Sequence, residues 1–235
     1  MALPVFNDTP KYELTIPSTK EKVRFRPFLV KEQKVLLIAM ESQDQGKILS
    51  SITDTLAACF STINIDTLTT FDVEYMFTQL RGKSVGESST ISVFCGECEQ
   101  PNNYIINLDD IKIDIPDINN KIKLDDKYTL QMRYPKYNHI LKNEALLKTE
   151  SNVEQIYEVI IDCMDCLLTE EERISFDDET KESTENFLGS LGSDQFAKIM
   201  EFVNAIPKLQ EKISFDCKKC GHHNDLVIQG IADFF

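Results

Sequence analysis

Four of the seven cysteines sit in two matched frames. The stretches ISVFCGECEQPNNYIINL (91–108) and ISFDCKKCGHHNDLVIQG (213–230) run alike. Each gives Ile-Ser, a strand, Cys-x-x-Cys, a turn containing Asn, and a second strand. Cysteines at i and i+3 across a tight turn bring two sulfurs within reach of one metal ion, and two such pairs close a tetrahedron. The expected site is Cys95, Cys98, Cys217 and Cys220 around one zinc, a split zinc ribbon built from two zinc knuckles. Such a closed set leaves no open coordination position, so the zinc expected here is structural. The alternative is that each pair holds free thiols, and the long insertion between Cys98 and Cys217 leaves that open. His222 and His223 follow Cys220 too closely to share its ion and read as turn residues. Gly221 suits a turn that needs positive φ.

The remaining cysteines read differently. Cys163 follows Ile156 and Ile160 at spacings of four and three, and Leu167 continues the stripe. That is a helical face, and cysteine on it acts as a small buried hydrophobe. Cys166 and Cys59 read the same way. No pair stands at a helix start after a strand, as a thioredoxin-type redox pair would. No phosphate-binding glycine loop, dinucleotide fingerprint, H-E-x-x-H or G-x-S-x-G is present. His139 has no nucleophile beside it in sequence, and Asp109-Asp110 and Asp177-Asp178 fall in turns. Nothing assembles a nucleophile, base and oxyanion donor. The expectation is a non-enzyme with no catalytic residue and no small-molecule substrate.

The elements that must position these cysteines follow from hydrophobic period. YELTIP and KVRFRPF alternate and read as an antiparallel pair, with Arg24 and Arg26 on its wet face. Residues 30–84 carry three helical patterns, the last opened by Thr70 and followed by Gly86. Short β-branched runs separated by turn residues fill 88–134 and predict an antiparallel sheet. From Lys136 the pattern is helical again: HILKNEALLK, VEQIYEVIIDCMDCLL, ESTENFLGSL and SDQFAKIMEFVNAI. Ser193 is the expected N-cap of the last. The acidic stretch 167–185 reads as a solvated connection. Ile231, Phe234 and Phe235 are expected to dock on the chain's own sheet. The fold class is therefore α+β, helical segments flanking an antiparallel β region with the split ribbon. The expected division is 1–87, a strand pair plus helices; 88–134 with 210–235, the β region; and 135–209, a helical insertion.

Composition narrows the function. The chain has 235 residues, 42% of them hydrophobic, which is enough for a sizeable core. Its net charge is −14. A phosphate backbone is repelled by that charge, so a protein partner is expected and nucleic acid is not. The longest apolar run, VLLIAM, is too short to span a bilayer. MALPVFNDTPKYE has no basic stretch leading into an apolar one, so no secretory signal is expected. Seven cysteines without a secretory signal fit a reducing cytoplasm and metal or core roles.

Four segments carry a resemblance: VRFRPFLVKEQKVLLIAME, FDVEYMFTQLRGKSVGE, QFAKIMEFVNAIPKL and CKKCGHHNDLVIQGIADFF. Together and in this order they resemble the baseplate hub subunits and hub assembly proteins of T-even-type, contractile-tailed bacteriophages. The most specific parts are LRGKSVGE and the CxxCG…GxxDFF ending. The resemblance implies virion morphogenesis in the host cytoplasm, with the virion tail baseplate as destination where the protein is retained. It implies hub, tape-measure or spike proteins as partners. Tyr75, Met76, Phe77, Met200 and Phe202 are the candidate contact residues. Two other readings stand beside it: a chaperone of the tape-measure protein that leaves the particle, and a transcription-type zinc-ribbon module.

Overall fold

The computed structural model describes residues 9–143 and 153–233. Along the chain the elements are β1 (Tyr12–Thr15), β2 (Lys22–Phe25), α1 (Val30–Glu41), α2 (Gln45–Cys59), α3 (Thr70–Val85), β3 (Ser88–Phe94) and β4 (Pro101–Asn107). There follow β5 (Lys121–Lys123), β6 (Thr129–Met132), α4 (Tyr137–Lys142), α5 (Val153–Cys163), β7 (Met164–Leu168) and β8 (Arg173–Ser175). The chain continues through α6 (Lys181–Gly189), α7 (Ser193–Asn204), β9 (Gln210–Asp216), β10 (His223–Gln229) and α8 (Gly230–Asp233). The class is mixed α+β with small antiparallel sheets. The elements fall into two compact units. One gathers the chain through Ile65, Phe71–Ile113 and the residues from Lys208 onward; the other is Asp66–Thr70 with Asp114–Pro207.

In the first unit α3 is the buried column. Phe71, Val73, Met76 and Leu80 on it are fully buried. Its polar residues fasten the neighbours. Asp72 accepts from the Ser18 N–H at 2.9 Å and from the Ser18 hydroxyl at 2.5 Å, which holds the β1–β2 turn. Gln79 Nε2 donates to the Leu108 carbonyl at the end of β4, 2.8 Å away. Glu74 accepts from the Leu209 N–H just before β9. Asp72 and Gln79 are buried and satisfied, which is the condition for placing polar groups in a core. Two antiparallel hairpins complete the unit. β3 pairs β4 from Ser88↔Asn107 to Phe94↔Pro101, and β9 pairs β10 from Gln210↔Gln229 to Asp216↔His223. Their inward residues Ile91, Val93, Ile106, Ile213 and Ile228 share one apolar cluster with Leu108, Ile111 and Leu209. The period-2 burial of β3, alternating exposed and buried, is what its sequence alternation dictates.

The second unit holds a four-stranded antiparallel sheet in the order β5-β6-β7-β8. Ile122, Leu130, Met132, Met164 and Leu167 from the strands pack with Ile160, Leu188, Ile199 and Phe202 from α5, α6 and α7. Arg133 ties its edge together. It donates to both Asp177 oxygens at 2.8 and 2.6 Å and to the Asp162 carbonyl at 3.2 Å.

Several expectations need correction. Residues 88–134 do not form one sheet: β3–β4 is a separate hairpin, while β5 and β6 join β7 and β8. The run IKIDIP is irregular. The helix through VEQIYEVIIDC ends at Cys163, and MDCLL is strand β7 between two partners. A central strand satisfies every backbone group by pairing, and the sheet overrides the helical spacing of the side chains. The acidic connection at 167–185 holds β8 and the start of α6, with Arg173 paired to Asp165 at 3.1 Å. Gly192, not Ser193, occupies the N-cap of α7, and its N–H donates to Gln195 Oε1. Arg26 lies past the end of β2 and pairs with the buried Glu32 at 2.9 Å. Residues 144–148 of the expected HILKNEALLK helix, and Phe234 and Phe235, lie outside the described residues.

Candidate metal centre

The two Cys-x-x-Cys turns have the same backbone. In the first, Cys95 N–H donates to the Gln100 carbonyl and Glu99 N–H to the Cys95 carbonyl. In the second, Cys217 N–H donates to the His222 carbonyl and Gly221 N–H to the Cys217 carbonyl. Both turns need one residue with positive φ, and Gly221 supplies it at +72°. The first turn uses Glu99 at +54°, a conformation that costs a side-chain-bearing residue roughly 1 kcal/mol.

All four sulfurs meet. Cys95 Sγ lies 3.7 Å from Cys220 Sγ, and Cys98 Sγ lies 3.7 Å from Cys217 Sγ. No two of the four are more than 4.8 Å apart. A tetrahedron with zinc–sulfur bonds of about 2.3 Å has edges of about 3.8 Å, so the arrangement has the size such an ion demands. Each close pair joins one hairpin to the other. Cys95 and Cys217 are buried, Cys98 is half-buried and Cys220 is exposed.

The electrostatics suit a cation. The backbone N–H groups of Cys220 and Lys219 point at Cys217 and, against burial, bring its thiol down to about 6. The Cys98 N–H lowers Cys95 in the same way. At Cys220 the His222 N–H helps the thiolate, but desolvation at its sulfur, though the residue is exposed, and the sulfurs of Cys98, Cys217 and Cys95 push the thiol up to about 12. A divalent ion at the centre of the four sulfurs would offset the repulsion among neighbouring thiolates. The donor set could hold a metal ion, and soft thiolates in a tetrahedron favour zinc.

The other candidates fall outside the site. Cys163 and Cys166 are buried in the second unit's core region, and burial pushes the Cys163 thiol well above its ordinary range. Cys59 is buried too, its thiol raised to about 11 by burial. His223 opens β10 and bonds Asp216 at 2.7 Å. His139 is half-buried and its Nδ1 faces Asp162. Met76, Phe77 and Phe202 are core residues and not contact residues. Exposed apolar residues include Val30, Leu37, Ile38 and Met40 on α1, each more than half exposed, as are Val85, Phe94, Ile105 and Val153 on other elements. Two further residues belong to the site. Asn102 and Asn224 each stand four positions after the second cysteine of their frame, and both are buried beside the sulfurs. The Asn in each turn was the available signal.

Among the described residues no helix is long and apolar enough to cross a membrane. No curated protein and no solved structure matches the chain. A family model described as T4 bacteriophage base plate protein matches residues 9–235, nearly the full length, and the resemblance carried by LRGKSVGE and the C-terminal CxxCG frame points the same way. The chain belongs to the T4 bacteriophage base plate protein family.

Proposed function

We propose that this chain is a non-enzymatic baseplate hub subunit or hub assembly factor that acts by protein–protein binding and carries one structural zinc on Cys95, Cys98, Cys217 and Cys220. The family match over residues 9–235 carries the reading, since a baseplate protein works by contact with other phage structural proteins. The net charge of −14 speaks for protein partners over nucleic acid. The convergence of four thiol groups supports the zinc. Its role would be to staple the middle of the chain to the C-terminal hairpin. Within this reading residues 114–207 are an insertion between the two knuckles of the first unit. The apolar residues exposed on α1 are the surface offered to a neighbouring hub or tape-measure component.

Mass spectrometry of purified tail particles, with co-expression and size-exclusion chromatography against candidate tail proteins, tests the role. The chain should be present in particles and should co-elute with a hub component. Co-elution with the tape-measure protein and absence from particles would replace the subunit by a chaperone. Co-elution with DNA or RNA and with no tail protein would overturn the reading.

A further inference from the structure

We propose that Asn102 and Asn224 are reciprocal positioning residues: each reaches from its own hairpin to a cysteine of the other, orients that sulfur and fixes how one knuckle docks on its mate. The inference rests on the reading of the four cysteines as one metal centre.

The geometry is the same twice. Asn102, on β4, points Nδ2 at Cys217 Sγ, 3.7 Å away, and accepts the Lys218 N–H on Oδ1 at 3.1 Å. Asn224, on β10, points Nδ2 at Cys95 Sγ, 3.7 Å away, and accepts the Gly96 N–H on Oδ1 at 2.9 Å. Each amide nitrogen also donates to its own turn, Asn102 to the Gln100 carbonyl and Asn224 to the His222 carbonyl, both at 2.8 Å. Both residues are 4% exposed, so a buried amide is fully used in each case. The contacts cross between hairpins whose partners lie 115 or more positions apart in the chain.

Only a side chain with a donor and an acceptor on one planar group can do this. The oxygen takes the first free amide of the opposing turn. The nitrogen then lies over the sulfur of the cysteine just before it. An N–H directed at a thiolate stabilises its negative charge and limits the rotation of the Cys side chain, which is how outer residues set the affinity of a metal site. The two amides also hold the hairpins in register without any ion, so the four sulfurs are gathered before metal arrives. That lowers the ordering cost of binding.

The test uses the full chain with aspartate at either position. Asn102→Asp and Asn224→Asp keep the oxygen that accepts the amide and replace the sulfur-facing donor by an acceptor. Zinc affinity, measured by competition with a chelator, should fall about 10- to 100-fold in each. In cobalt-loaded protein the sulfur-to-metal charge-transfer band should move to longer wavelength, because the sulfur has lost a donor. Asn103→Asp, an exposed neighbour, should change neither quantity. Should the aspartate variants not fold, Asn102→Ala and Asn224→Ala carry the affinity measurement. A metal-free readout separates this inference from the metal reading. In hydrogen exchange Asn102→Ala should deprotect the Lys218 amide, and Asn224→Ala the Gly96 amide, each on the opposite hairpin. If the native protein takes up neither zinc nor cobalt, the metal reading fails and this crossed pattern still decides. Unchanged protection at both amides, or loss confined to the mutated hairpin, overturns the proposal, as does unchanged zinc affinity in a metal-binding native protein.

Discussion

Cys217→Ser and Cys98→Ser each remove one sulfur from the cluster and should abolish stoichiometric zinc binding, read by metal analysis of purified protein, with a lowered melting temperature. Cys163→Ala is the control. It should leave zinc content unchanged and cost about 1–2 kcal/mol in urea unfolding, because it opens a small cavity among buried apolar side chains. Glu74 gives a pH dependence with a definite sign. Burial lifts its carboxyl to about 7, against the pull of the Leu209 N–H and Lys208. The folded chain then holds a proton that the unfolded chain releases above its ordinary value of 4.5. Its contribution to stability is therefore fully present below pH 4.5 and is lost as pH rises through about 7, on the order of 3 kcal/mol. Glu74→Gln should flatten that part of a stability–pH curve. The four cysteines could be read from sequence because ligand spacing within one turn is a local property. The reach of Asn102 to Cys217 could not, because it exists only once two distant hairpins dock.

At the scale of elements, α1 shows how a buried charge is held. Glu32 is 8% exposed, yet it accepts from Arg26 at 2.9 Å and from the Leu29 N–H at 2.8 Å, which satisfies the first turn of the helix. Arg26→Ala strips that partner and should destabilise the chain by about 2 kcal/mol in chemical denaturation. The other side of α1 makes a different prediction. Leu37→Lys with Ile38→Glu replaces two exposed apolar residues, so stability should move by no more than about 0.5 kcal/mol per site, while the partner binding proposed for this face should be lost in co-elution. Strand–helix order was legible wherever one period ran unbroken, as in β3, β9 and α7. It failed at Met164–Leu168, where Ile156, Ile160, Cys163 and Leu167 keep a helical spacing across a junction. There the four-stranded sheet decides, and a sheet is a long-range object. The pairing of β6 with β7 spans more than thirty positions and leaves no trace in either segment alone.

For the molecule as a whole, the chain is acidic and belongs to a phage base plate protein family, and the proposed metal would close its first unit across a long insertion. Closing so long a loop is costly in chain entropy, and a bound ion returns its binding free energy to the folded state. The overall class could be read from sequence, but the separation of β3–β4 from the sheet that holds β5 and β6 could not, because strand pairing depends on partners distant in the chain. Native mass spectrometry of the purified full chain, followed by melting in the presence and absence of a strong chelator, reaches the central claim most directly. One zinc per folded chain is expected, lost in Cys217→Ser, with a melting temperature that drops when the chelator strips the ion. A chain that is folded, metal-free and equally stable with and without chelator would contradict it.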